Sequence, residues 1–196
     1  MNNTAAIKTT SGPGFFRKAS NRLRQIISIG SFLRHIKALY YFRNYNIKLG
    51  RNVRVFGFPF AVNVGTDIVF YDNTVFEFGS KSNFSTGDHI VFSYGVLLAC
   101  QNSISIGSNV LIGEYTSIRD STHDHKDNGQ PMRLNSDIAR PISIGDNVWI
   151  GRGCIIMPGT VVEDGVVIGA NSIVKGILKK NSIYAGSPCR FIKDRS

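Results

Sequence analysis

The first 66 residues contain no aspartate or glutamate, and the whole chain of 196 residues holds only three cysteines and one tryptophan. Cys100, Cys154 and Cys189 are odd in number and widely spaced. They fit neither a disulfide framework nor a zinc spacing such as CxxC, and a reducing compartment is expected. Near the amino terminus no run of about 18 apolar residues is uninterrupted, because Arg34 and Lys37 cut the stretch from Ile26 to Tyr45. A spanning helix is therefore not expected. Nor is a cleaved leader, since the apolar stretch begins late and no small-residue cleavage site follows it. The absence of acids leaves eleven Lys and Arg residues between Met1 and Thr66 unopposed, whereas the remainder carries twelve basic and thirteen acidic residues. The net charge of +10 is thus local to one end. Nucleic acid is not the expected partner, because neither a binding motif nor aromatic-basic interleaving accompanies that charge.

What the chain does have is a period. With 42% apolar residues, the length suits one domain with a real core. From Ile144 the sequence divides into IGDNVW, IGRGCI, IMPGTV, VEDGVV and IGANSI. Aliphatic leads recur at Ile144, Ile150, Ile156, Val162 and Ile168, and a small or β-branched residue follows four positions later at Val148, Cys154, Thr160, Val166 and Ser172. Cys154, and Cys100 after Val96, are read as such small interior residues rather than reactive thiols. The pattern extends upstream as IGSNVL and IGEYTS from Ile106, and less cleanly through Val64, Phe70, Phe78, Phe84 and Ile90, with slips near Phe76 and Asn102. An apolar residue every sixth position cannot face one side of a helix, whose period is 3.6. It describes short strands joined by turns that bury their apolar faces by stacking, which is a parallel β-helix.

One segment breaks the repeat. RDSTHDHKDNGQPMRLNSDIARP, between Ile118 and Ile142, is polar and carries two of the four histidines. A long excursion from a rigid solenoid is where catalytic groups are expected, and imidazole is the base best matched to neutral pH. On chemistry alone, His123 and His125 are both available. Asp120, Asp124 or a loop carbonyl is expected to orient the imidazole. His89 and His35 are expected to be structural.

The [LIV]-G-x-x-[STAVC]-x hexads resemble those of the hexapeptide-repeat acyltransferases over roughly residues 49–193. From IGDNVWIGRGCIIMPGTVVEDGVVIGANSIV to NSIYAGSPCRFIK the chain is similar to galactoside, maltose and polysaccharide O-acetyltransferases. The resemblance implies a mainly β fold, a left-handed parallel β-helix, assembled as a homotrimer with active sites between subunits. It implies acetyl-coenzyme A as co-substrate, no metal, and His123, preceded by Ser121 and Thr122, as catalytic base. Ser93 stands where relatives carry an asparagine that stabilises the thioester oxygen, so it is a departure. Gly151, Arg152 and Ala170 match positions flanking the pantetheine arm, and Lys175, Arg190 and Lys193 match coenzyme-contacting positions. Gly176 replaces a common lysine, with Lys179 and Lys180 as candidate substitutes. His125, Tyr94 and Tyr115 are weaker candidates for acceptor contact, and Trp149 is expected to pack.

The expected organisation is a basic arm with an amphipathic helix over residues 1–46, a β-helix over 47–178 with the loop 119–141, and a cap segment over 179–196. In the arm, Ile26, Ile29, Leu33, Ile36 and Tyr40 lie on one helical face, with Arg24, Ser31, Arg34 and His35 opposite. That helix is expected to cap the solenoid, to touch an anionic membrane, or both. The resulting expectation is a cytoplasmic O-acetyltransferase, peripheral to the inner membrane face, acting on a sugar hydroxyl of a cell-surface polysaccharide or its precursor. Alternatives are a small-sugar, amino-sugar N- or xenobiotic acetyltransferase. More distant ones are a non-catalytic solenoid and a γ-type carbonic anhydrase using His89, His123 and His125. Against the last, Asn128 occupies the position its H-x-x-x-x-H spacing needs.

Overall fold

The structure is a computed structural model, which describes residues 30, 32–42, 46–127 and 129–195. The chain divides into two units, Met1–Leu33 and Arg34–Ser196. In the first unit only residues 30, 32 and 33 are described; they are helical, and Phe32 and Leu33 are exposed. Ile26, Ile29, Arg24 and Ser31 lie outside the described residues.

The second unit is a parallel β-solenoid. Coil 1 consists of Ile47–Leu49, Arg54–Gly57 and Ala61–Asn63, and each strand pairs in parallel with the equivalent strand of coil 2. Coil 3 is Ile90–Phe92, Leu97–Cys100 and Ser103–Ile106, and coil 4 is Leu111–Ile112, Ser117–Arg119 and Ile142–Ile144. Coil 6 ends at Ile177–Leu178. Three parallel sheets result, here called first, second and third in chain order within a coil, joined at corners 1, 2 and 3. The column runs beyond residue 178: Ser182–Ala185 adds one more rung to the first sheet, and Arg190–Asp194 folds back antiparallel on it.

Alternation makes the core. Within each strand the inward residue is buried, as in Ile68 and Phe70, Leu98, Ile118, Ile150 and Ile156, and these stack into one interior column. The small corner residues Val110, Thr116, Val148, Cys154, Thr160, Val166 and Ser172 are all buried, as the period predicts. Cys100 is buried too, but on the strand Leu97–Cys100 opposite Phe78 rather than at a corner. Burial pushes its thiol up to about 12, so it stays protonated at neutral pH. In coils 2 and 3 several strands turn two residues inward, such as Phe76 with Phe78, and this produces the slips in the six-residue count.

The helix over residues 34–41 closes the coil 1 end, but with the face opposite to the expected one. Ala38 and Phe42 are buried, the Phe42 ring lying 4.8 Å from Phe70 and 4.7 Å from Phe76. Ile36 and Tyr40 are exposed instead. The reason is the open strand edge, whose carbonyls have no preceding coil to donate to them. His35 Nδ1 reaches Val53 O at 3.1 Å, and Lys37 Nζ donates to Gly57 O at 2.6 Å. His35 is structural, as expected.

Candidate active site

At corner 2 of coil 4 the chain leaves the column as a two-stranded antiparallel hairpin, Ser121–His123 against Asp137–Ala139. Its root is fixed by Asp120. This carboxylate is wholly buried and accepts backbone N–H groups from Gln101, Asn102 and Ser103 at 2.7, 2.7 and 2.9 Å. Asp124 Oδ1 accepts the N–H of Lys126 in a local turn. Neither of these contacts is to the His123 imidazole. The hairpin register pairs His123 with Asp137, and His123 Nδ1 lies 2.7 Å from Asp137 Oδ1. A carboxylate only accepts, so in the neutral imidazole Nδ1 carries the proton and Nε2 the lone pair. The His123 side chain is 75% exposed.

Asp137 was missed in the sequence because thirteen residues separate it from His123 and no short turn fixes the pairing. The only signal was the turn-forming Asp-Asn-Gly between STH and SDIA, which suggests a hairpin but not its register.

Two concave surfaces lie near these elements. A groove of about 570 Å³ runs along the outside of the first sheet toward corner 1, lined by Ser93, Gly113, Trp149, Gly151, Arg152 and Ala170 among others. It unites Ser93 with the three residues expected beside a pantetheine arm. Gly151 is required there, since a Cβ would fall 2.6 Å from the backbone nitrogen of Ala170 in the next coil. Trp149 is 55% exposed and lines this groove rather than packing, because its strand, Trp149–Ile150, turns Ile150 inward and Trp149 outward. A second cleft of about 160 Å³ at corner 2 is lined by Thr122, His125, Ile138, Arg140, Met157, Pro158 and Lys175. His125 and Lys175 thus line one cleft beside the hairpin.

The other expected cations are dispersed. Lys179 Nζ pairs with Glu163 at 2.9 Å, and the Lys180 N–H donates to the same carboxylate, which together hold Glu163 below the usual carboxylate range. Arg190 and Lys193 are exposed on the return strand. Tyr94 and Tyr115 stand at corner 1, both exposed, with Tyr94 4.8 Å from the ring of Tyr71. His89 is at corner 3, its Nδ1 2.9 Å from Asp67 Oδ2, well apart from the two loop histidines that a three-histidine zinc site would join to it. Ser93 at corner 1 and His123 at corner 2 likewise stand apart within one chain.

Residues 141–176 match the family described as bacterial transferase hexapeptide (six repeats). WbbJ of Escherichia coli strain K12, assigned to lipopolysaccharide biosynthesis as an O-acetyl transferase, is 31% identical over 156 residues, covering 73% of this chain and 80% of the relative. Galactoside O-acetyltransferase of the same organism is 35% identical over 119 residues, covering 60% of this chain and 57% of the relative. A mutant of AntD, an N-acyltransferase from Bacillus cereus solved with dTDP and coenzyme A, shares the fold with a TM-score of 0.61 at 23% identity, covering 76% of this chain and 83% of that one. The six-residue period, the three-sheet column it builds and the likeness to WbbJ over most of both chains lead to one assignment: the chain belongs to the hexapeptide-repeat transferase family.

Proposed function

We propose that the protein transfers an acetyl group from acetyl-coenzyme A to a sugar hydroxyl of a cell-surface polysaccharide or its precursor, with His123 as general base. The observation that carries this reading is the 2.7 Å contact between His123 Nδ1 and Asp137 Oδ1, which sets the tautomer of the neutral imidazole with its lone pair on Nε2. Nε2 removes the hydroxyl proton as the oxygen attacks the thioester carbonyl. Asp137 stabilises the imidazolium that forms. Collapse of the tetrahedral intermediate then breaks the carbon–sulfur bond, and the imidazolium returns the proton to the departing thiolate.

The groove holding Gly151, Arg152 and Ala170 suits the amide-rich pantetheine arm, and Lys175, Arg190 and Lys193 are the cations for its phosphates, with Lys179 and Lys180 as further ones. Ser93, in that groove, supplies the donor for the developing oxyanion. Since Ser93 and His123 occupy different corners, the reading includes a homotrimer in which the groove of one copy meets the hairpin of the next. The likeness to WbbJ supports a glycan acceptor. No described helix is long and apolar enough to cross a membrane. The reading places the enzyme at the inner face of an anionic membrane, where a lipid-linked acceptor is presented.

The test is thiol release from acetyl-coenzyme A with a panel of neutral, acidic and amino sugars. His123→Ala is expected to lose about 10²- to 10⁴-fold in kcat with coenzyme binding retained. Asp137→Asn is expected to lower kcat by about tenfold or more, less than the ~10⁴ of a buried triad because this pair is half exposed, and to leave KM for acetyl-coenzyme A unchanged. Full activity in His123→Ala, with loss in His125→Ala, would move the base to His125.

A further inference from the structure

Coil 1 presents an aromatic edge that nothing in the described chain covers. Between Arg54–Gly57 and Ala61–Asn63 the sequence Phe58-Pro59-Phe60 forms corner 2, where Phe58 is 70% and Phe60 80% exposed. Leaving such side chains in water forfeits about 1.5–3 kcal/mol each. The helix face turned away from the column adds Ile36, Leu39 and Tyr40, all exposed.

The cations beside this edge are held in an unusual way. Lys37 Nζ sits 3.4 Å from the centroid of the Phe58 ring. The guanidinium carbons of Arg34 and Arg54 lie 5.1 and 6.0 Å from the centroid of one ring, Phe56. Among the described residues no carboxylate pairs with Arg34, Lys37 or Arg54. The Nε atoms of both arginines are buried without a hydrogen-bond partner. A buried unmet donor costs about 1–3 kcal/mol, and two guanidinium groups on one ring repel each other. A phosphate meeting the solvent side of these half-buried guanidinium groups relieves the repulsion, while the buried Nε atoms stay beyond its reach. The first acid in the sequence is Asp67, so no part of the chain before it offers a competing carboxylate.

We infer that this edge of coil 1 docks on an anionic bilayer, with Phe58 and Phe60 entering the interfacial region and Arg34, Lys37 and Arg54 meeting lipid phosphates. Aromatic rings next to unpaired cations are what the headgroup boundary favours. The edge stands on the same corner as the hairpin root at Asp120, three coils away, or about 14 Å at the ~4.8 Å spacing of paired strands. The inference rests on the membrane-presented acceptor proposed above for its purpose, but docking is measurable without catalysis.

The experiment is co-sedimentation of the full chain with phosphatidylcholine vesicles, with and without phosphatidylglycerol. Binding is expected only with phosphatidylglycerol, and is expected to fall between 0.1 M and 1 M salt as the Debye length shrinks from about 10 Å to about 3 Å. Phe58→Ser with Phe60→Ser is expected to weaken binding by about tenfold or more at low salt, given the apolar area withdrawn from the interface. Arg34→Gln with Arg54→Gln is expected to weaken binding at low salt and to flatten its salt dependence. Both variants should keep the wild-type circular dichroism spectrum and full activity on a soluble acceptor sugar. Wild-type binding by the Phe58→Ser, Phe60→Ser variant would overturn the inference. So would a fall in its sedimentation mass with vesicle binding unchanged, which would make the edge a contact between copies. An inactive wild-type enzyme that still binds vesicles would overturn the proposed function and leave docking intact.

Discussion

At corner 1, the left-handed backbone position is occupied by Asn52, Asn73, Gly95, Gly153 and Asn171 in five coils, and by Tyr115 in coil 4. Asparagine and glycine adopt that conformation at little cost, whereas a bulky residue there is strained by roughly 1–3 kcal/mol. Tyr115 has a φ of 58° and is 75% exposed, so little packing offsets the strain. Its ring covers Gly95, where an added Cβ would fall 2.7 Å from it. Tyr115→Asn is expected to raise unfolding stability by about 1 kcal/mol in urea titration, and to raise KM for the acceptor if the ring contributes to its binding. At this scale the sequence was legible where a side chain acts alone and opaque where it acts through a partner. The polar excursion exposed His123 and His125 alike, and only the likeness to a family singled out His123. Asp137 did not stand out, because pairing between distant residues is set by hairpin register, which no local pattern encodes.

Among elements, the hairpin is anchored by Asp120, one of the groups expected from sequence to orient the imidazole. Asp120 draws three backbone N–H groups of coil 3 to the point where the chain leaves coil 4. Asp120→Ala strands all three donors, and a loss of about 2–4 kcal/mol in urea titration is expected, with Asp120→Asn losing less because one acceptor oxygen remains. Hydrogen exchange should accelerate first at Gln101, Asn102 and Ser103. An activity loss without this destabilisation would restore Asp120 to a role at the imidazole. The amino-terminal helix shows the opposite limit of sequence reading. Its apolar stripe was recognisable, but which face meets the column depends on the unpaired carbonyls of coil 1 and on the space that Phe42 fills.

For the whole molecule, the hexads from Ile106 onward translate directly into strands and corners, because the two-residue strands such as Trp149–Ile150 and Ile155–Ile156 turn one residue inward. Coils 1 to 3 were harder to read, since paired inward residues such as Phe70 with Ile68 and Phe76 with Phe78 lengthen the strands and shift the count. Each strand of coils 1 to 6 pairs only with its counterparts on adjacent rungs. Stability is therefore a sum of nearest-neighbour terms, and an end cap protects the coils beneath it in order. Phe42→Ala is expected to cost about 3–5 kcal/mol, with exchange protection lost first in coil 1, then coil 2, and least in coil 6. Uniform loss across all coils would show that the column opens as a single unit.

The same nearest-neighbour build turns the column into a ruler. Coil 1 and the hairpin root are related only through the rungs between them, so their separation takes values in whole rungs. Inserting one complete coil between them would lift His123 by about 4.8 Å and leave both the aromatic edge and the His123–Asp137 pair as they are. If the protein docks by its first coil and acts on a glycan as proposed, it selects its acceptor hydroxyl by height above the surface, and a change of one coil would move acetylation along the glycan without altering a single contact of His123.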